Sequence, residues 1–69
     1  MQVMINGEPE AIDEKDVSIS RLLAIKQVES PDMVSVQLNG KIVARQQYDQ
    51  QLLAADDEIE FLYFMGGGA

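Results

Sequence analysis

The side chains that most often carry covalent or metal chemistry are missing from this sequence, which has no histidine and no cysteine. That removes the commonest general base, the commonest transition-metal ligand, any thiolate nucleophile and any disulfide framework. Carboxylates remain, and Asp56, Asp57, Glu58 and Glu60 gather near the C-terminus. They lack the ligand spacing of a chelating loop, so they read as a charged turn, and no metal or cofactor site is expected. Nor do they form a defensible acid/base pair, so catalysis by the chain itself is the weakest reading. What stands out is backbone. The sequence closes on Gly66-Gly67-Gly68-Ala69, which has little side chain to pack and wide conformational freedom. Taken alone such a tail is a frayed terminus, and the strand in front of it decides whether it is more.

That strand belongs to a scaffold which the hydrophobic pattern spells out. Val3-Met4-Ile5-Asn6 alternates, with Val3 and Ile5 on one face and Met4 on the other. Asn6-Gly7 tolerates the positive φ angles of a tight hairpin, and a more polar second strand follows through Ala11 and Ile12. Pro9 lacks an amide donor, which suits an edge. Ser18 is the expected N-cap of a helix of about ten residues. Ile19, Leu22 and Leu23 form its buried stripe, Val28 extends it, and Arg21 and Lys26 face water. Glu29-Ser30-Pro31 is the expected stop, because the residue before a proline disfavours helical geometry.

Val34, Val36 and Leu38 alternate with Ser35 and Gln37 as a half-buried strand. Asn39-Gly40 turns it into Ile42-Val43-Ala44. Gln46 to Gln51 reads as a loop or short helical turn, Leu52 and Leu53 return to the core, and Ala55-Asp56-Asp57 leads into a last strand from Glu58 to Met65. There Ile59, Phe61 and Tyr63 continue the buried face. Glu60, Leu62 and Phe64 occupy the other, polar first and apolar at its end. Leu62, Phe64 and Met65 are therefore either core residues or a partner-docking surface. The predicted architecture is α+β, in ββαβββ order, with one helix packed across a mixed sheet. The expected division is a domain over 1–65 and a flexible glycine tail over 66–69.

A chain of 69 residues supports one domain, burying about 60% of the surface it exposes when unfolded. Its 46% hydrophobic content suits a compact fold. Twelve acidic against five basic residues give a formal charge of −7. Lys15, Arg21, Lys26, Lys41 and Arg45 are scattered, so the clustered positive surface that nucleic acid requires is absent. The acidity keeps a small protein in solution, and it also steers the protein toward a basic partner. Arg45 is expected to pair with the chain's own acidic surface rather than with a partner's carboxylate. No stretch approaches the ~18 apolar residues of a membrane span, and no signal peptide is visible, so the expected location is cytoplasmic.

The ordered motifs carry a resemblance over the whole chain. They are Asn6-Gly7-Glu8, Ser18-Ile19-x-x-Leu22-Leu23, Val36-x-Leu38-Asn39-Gly40 and the run from Glu58-Ile59-Glu60-Phe61-Leu62-Tyr63-Phe64-Met65 into Gly66-Gly67-Gly68. Together they resemble the ThiS/MoaD family of ubiquitin-like sulfur carriers, closer to its thiamin-type ThiS branch. The resemblance implies a β-grasp fold and a carrier activated at its C-terminus. An E1-like enzyme would adenylate the Gly68 carboxylate with ATP, a sulfurtransferase would supply sulfur, and the resulting thiocarboxylate would serve an acceptor enzyme such as thiazole synthase. A carrier so used needs no acid, base or nucleophile of its own. Glycines at 66, 67 and 68 let the tail enter a narrow site.

Ala69 departs from the family pattern, in which the terminal residue is glycine. It is either a mask removed by a peptidase, or a residue that is tolerated or extraneous. A mask would favour a role in homocysteine or cysteine formation over thiazole formation. A reading of another class, a β-grasp interaction module with no carrier role, would leave the tail dispensable.

Overall fold

The computed structural model describes residues 1–28 and 31–63. Among these, β1 (Gln2–Ile5), β2 (Glu8–Ala11), α1 (Ile19–Ile25), β3 (Val34–Leu38), β4 (Lys41–Ile42) and β5 (Glu58–Tyr63) follow in the predicted ββαβββ order, with 3₁₀ turns at Pro31–Met33 and Arg45–Gln47. The strands form one sheet in the order β2-β1-β5-β3-β4. β5 is central, parallel to β1 and antiparallel to β3. Both Asn-Gly pairs turn as their chemistry demands. Asn6 and Gly7 have φ of 51° and 84°, and Asn39 and Gly40 have 52° and 86°, the left-handed pair of a two-residue hairpin loop. Pro9 sits on edge strand β2, opposite Met4, where its missing donor disturbs no inner ladder.

The core lies between the sheet and α1. Val3, Ile5, Val34, Val36, Ile59 and Phe61 face Ile19, Leu22 and Leu23, and all are buried. Ser18 caps the helix as expected, its hydroxyl accepting from the Arg21 amide at 3.0 Å. The next donors are met from the distant 48–51 segment: Ile19 N–H donates to the Gln51 carbonyl at 3.1 Å and Ser20 N–H to the Tyr48 carbonyl at 3.0 Å. The first-turn amides that a helix leaves unpaired thus stitch α1 to the long connection between β4 and β5.

Several local expectations change. The helix has 7 residues, because it closes before the Glu29-Ser30-Pro31 stop is reached. Gln27 takes a φ of 56°, and Gln27 N–H donates to the Ala24 carbonyl while Val28 N–H donates to that of Leu23. This is the paired reversal that satisfies terminal carbonyls, and it folds Val28 back against the core. β4 ends at Ile42 rather than running to Ala44. Leu53 is buried but Leu52 is 48% exposed, since neighbours on an extended segment point opposite ways. Tyr63 shares the parity of Ile59 and Phe61 yet is 57% exposed. β1 pairs with β5 only as far as Ile59, so among the described residues no strand flanks Tyr63 on that side.

The sequence pattern also missed Tyr48, which lies in a polar stretch but is only 7% exposed. Where β4 stops, its hydroxyl accepts from the buried Val36 amide at 3.1 Å, while the Val36 carbonyl still accepts from Val43 N–H at 3.0 Å. Arg45 extends the same substitution. Its Nη2 donates to the carbonyls of Val34 at 2.9 Å and Asp32 at 2.7 Å, with the guanidinium 6.0 Å from the Tyr48 ring centre. Two side chains from the 3₁₀ turn thereby do for β3 what a longer β4 would have done.

Candidate functional site

The predicted site divides at residue 63. Phe64, Met65, Gly66, Gly67, Gly68 and Ala69 lie outside the described residues. Leu62 lies within them, on the sheet face opposite α1, and is 39% exposed. It stands across from Ser35, while Gln37, the next outward residue of β3, stands across from Ile42. Ile42 is 69% exposed on that same face, two strands away from Leu62 and in the row of Gln37 and Glu60. Glu58 and Glu60 precede Leu62 on this face and are exposed.

β5 is held at its start and near its middle by asparagines whose other task is to turn a hairpin. Asn39 Oδ1 accepts from Glu58 N–H at 2.9 Å, and its Nδ2 donates to the Asp57 carboxylate at 3.0 Å. The second Asp57 oxygen accepts from Ala54 N–H at 2.8 Å. Asp57 therefore acts as a turn cap, and the acidic turn has a structural occupation. Further along the strand Asn6 Oδ1 accepts from Phe61 N–H at 2.9 Å, across 55 positions of sequence. The sequence marked both asparagines as turn residues. Only the three-dimensional arrangement shows them bracing β5.

Ion pairing concentrates on the helix side. Arg21 holds Glu14 through two hydrogen bonds of 2.9 and 2.7 Å, and Lys26 meets Glu10 at 3.0 Å. Hydrogen bonding from Arg21 lowers the Glu14 carboxyl below its usual range; desolvation opposes this and the guanidinium charge adds to it. The same pairing raises Arg21. A cleft of about 460 Å³ lies beside α1, lined by Ser20, Leu23, Ala24, Val28, Asp32, Arg45 and Tyr48. No residue of β5 lines it, so it is separate from the strand that carries the tail. Among the described residues no group of three or more Asp, Glu, His or Cys is placed to hold a metal ion, and no helix is long and apolar enough to cross a membrane.

A mixed five-stranded sheet with the C-terminal strand at its centre and one helix across it is the β-grasp arrangement of ubiquitin-like domains. The ThiS family model matches residues 3–68, and the chain belongs to the ThiS family. A crystal structure of the thiamine biosynthesis protein ThiS from Geobacter metallireducens is 36% identical, with a TM-score of 0.88 over 99% of this chain and 100% of that one. A solution structure of a thiamine biosynthesis protein from the same organism is also 36% identical, with a TM-score of 0.82 over 100% of this chain and 90% of that one. A thiazole synthase of Magnetococcus marinus is 32% identical over 68 residues, 99% of this chain. The chain spans only about 20% of that relative's length.

Proposed function

We propose that the chain is a sulfur carrier for thiazole formation in thiamin synthesis, and that it acts as the substrate of its partners rather than as a catalyst. The observation that carries this reading is the extent of the family match. It runs to residue 68, taking in Gly66, Gly67 and Gly68 and leaving Ala69 outside. Gly68 is accordingly assigned as the residue activated, with Gly66 and Gly67 as the narrow backbone that reaches an active site.

In this reading an E1-like enzyme joins the Gly68 carboxylate to the α-phosphate of ATP and releases pyrophosphate. The acyl adenylate makes the carboxyl carbon electrophilic. The terminal sulfur of a sulfurtransferase persulfide attacks that carbon and displaces AMP. A thiol then cleaves the resulting sulfur–sulfur bond, leaving a thiocarboxylate on Gly68 and a disulfide elsewhere. None of these steps asks for a histidine or cysteine from the carrier, and this chain has neither. Leu62, on the outer sheet face, is assigned to partner docking together with Phe64 and Met65 of the same hydrophobic run. The similarity to a fifth of a longer thiazole synthase supports such an enzyme as the acceptor, since one polypeptide there includes both a segment like this chain and much more.

The test is intact mass. Forms ending at Gly68 and at Ala69 are incubated with the E1-like enzyme of the same genome, ATP and a persulfide source. The Gly68 form should gain about 16 Da, from oxygen replaced by sulfur. If neither form is adenylated by any E1-like enzyme of that genome, the carrier reading is wrong. A chain trimmed of its last four residues that keeps full function would point instead to an interaction module.

A further inference from the structure

The edge of β5 changes character at Phe61. As far as Ile59 its neighbour on one side is β1: Met4 N–H donates to the Asp57 carbonyl and Asn6 N–H to that of Ile59, both at 2.9 Å. β1 then leaves through the Asn6-Gly7 turn, and Asn6 Oδ1 takes the Phe61 amide. Within a strand, the N–H and C=O of one residue address the same neighbour, and those of the next residue address the other. Ile59, Phe61 and Tyr63 therefore address the β1 side. Glu58, Glu60 and Leu62 address β3, as the 2.7 Å bond from Asn39 N–H to the Glu58 carbonyl shows. Among the described residues no strand lies beside Tyr63 on the β1 side. Among the described residues the Phe61 carbonyl and both backbone groups of Tyr63 thus have no strand partner on that side, a short open edge on the central strand.

We propose that this open edge at Phe61 and Tyr63 receives an extended segment of the activating enzyme, added as a strand beside β5. The proposal rests on the carrier reading and names how the enzyme grips the strand that delivers the tail. Three features favour it. A tail of glycines offers no side chains to recognise, so its delivery depends on backbone contacts, and strand addition at a sheet edge supplies them. The edge, though short, carries no proline and no charge at Phe61, Leu62 or Tyr63 to keep another strand away. Finally, the five residues from Phe64 to Gly68 span at most roughly 18 Å when extended. An enzyme that activates Gly68 must close on this end of β5, and a strand of its own with unpaired backbone groups fits the vacancy beside Tyr63.

The test replaces one atom. A chain ending at Gly68 is assembled semisynthetically with an ester in place of the Leu62–Tyr63 amide, so that Tyr63 keeps its side chain and loses its N–H. An all-amide chain assembled identically is the reference. With the E1-like enzyme and ATP, the ester should raise the KM for the carrier about fivefold, the effect of one ordinary hydrogen bond, with kcat little changed. In a second measurement the Tyr63 amide of the ordinary chain should exchange with deuterium at least tenfold more slowly in the complex than alone. A KM equal to that of the reference together with unchanged Tyr63 exchange overturns strand addition while adenylation still proceeds. A reference chain that is not adenylated at all overturns the carrier reading, and this inference with it.

Discussion

Removing the hydroxyl of Tyr48 tests the claim that a side chain finishes the β3 ladder where β4 gives out. In Tyr48→Phe the ring stays in place, 7% exposed against the core, and one oxygen is lost. The Val36 amide, 3.1 Å from that oxygen on a residue with 0% exposure, then has no acceptor. A buried donor left unmet destabilises by about 1–3 kcal/mol. A domain of this size has a total stability of ~3–10 kcal/mol, so the loss is a large fraction of the whole. At 4–8 °C per kcal/mol, the midpoint should fall by roughly 5–20 °C. Urea unfolding followed by circular dichroism measures the free energy, and the slope m should not change, because the fold is the same. Amide exchange locates the effect. Val36 should lose protection, while Ser35 and Gln37, whose amides face β5, keep theirs to within the global change. A variant within about 0.5 kcal/mol of wild type, with Val36 still protected, would refute the reasoning and show that water or a small strand shift meets the amide.

Two further outcomes follow from the same geometry. Ser18→Ala removes the acceptor of the Arg21 amide and should destabilise by about 1 kcal/mol in the same assay; Ser18→Asp, which keeps an acceptor there, should restore most of it. Glu14→Gln should lower the melting temperature slightly at neutral pH and not at all in acid. Glu14 is lowered in the folded chain by its bonds to Arg21, so its contribution is present above the unfolded glutamate value and fades as pH falls through the lowered one. An effect that grew in acid would contradict that assignment. High salt should shrink the neutral-pH difference, as for any exposed pair.

Much of this protein was legible one residue at a time. Strand alternation at Val3 and Ile5, at Val34 and Val36, and at Ile59 and Phe61 identified the inner face, because a period of two leaves few ways to bury the apolar set. The Asn-Gly pairs announced their own turns, since their side chains permit positive φ whatever surrounds them, and Ser18 announced the cap for an equally local reason. The glycine run stood out by composition, and its place after a hydrophobic strand suggested its use.

What the pattern could not reach were matters decided by distant neighbours. Tyr48 sits among polar residues, and it is core only because β4 is short and the 45–48 turn folds onto β3. The helix ends early because Val28 finds Leu23, before Pro31 can act. Leu53 wins over Leu52 through its amide bond to the Val17 carbonyl at 2.8 Å, and Tyr63 loses its cover because β1 turns away two residues too soon. The asparagines that turn the hairpins also brace β5, a fact that no window of local sequence contains. The sequence by itself determined where most strands and turns fall, and it singled out the glycine run as the candidate site. Only the tertiary structure decided that β5 is the central strand, with no described strand beside Tyr63 on the β1 side, because strand neighbours are chosen by sheet topology and not by residue type.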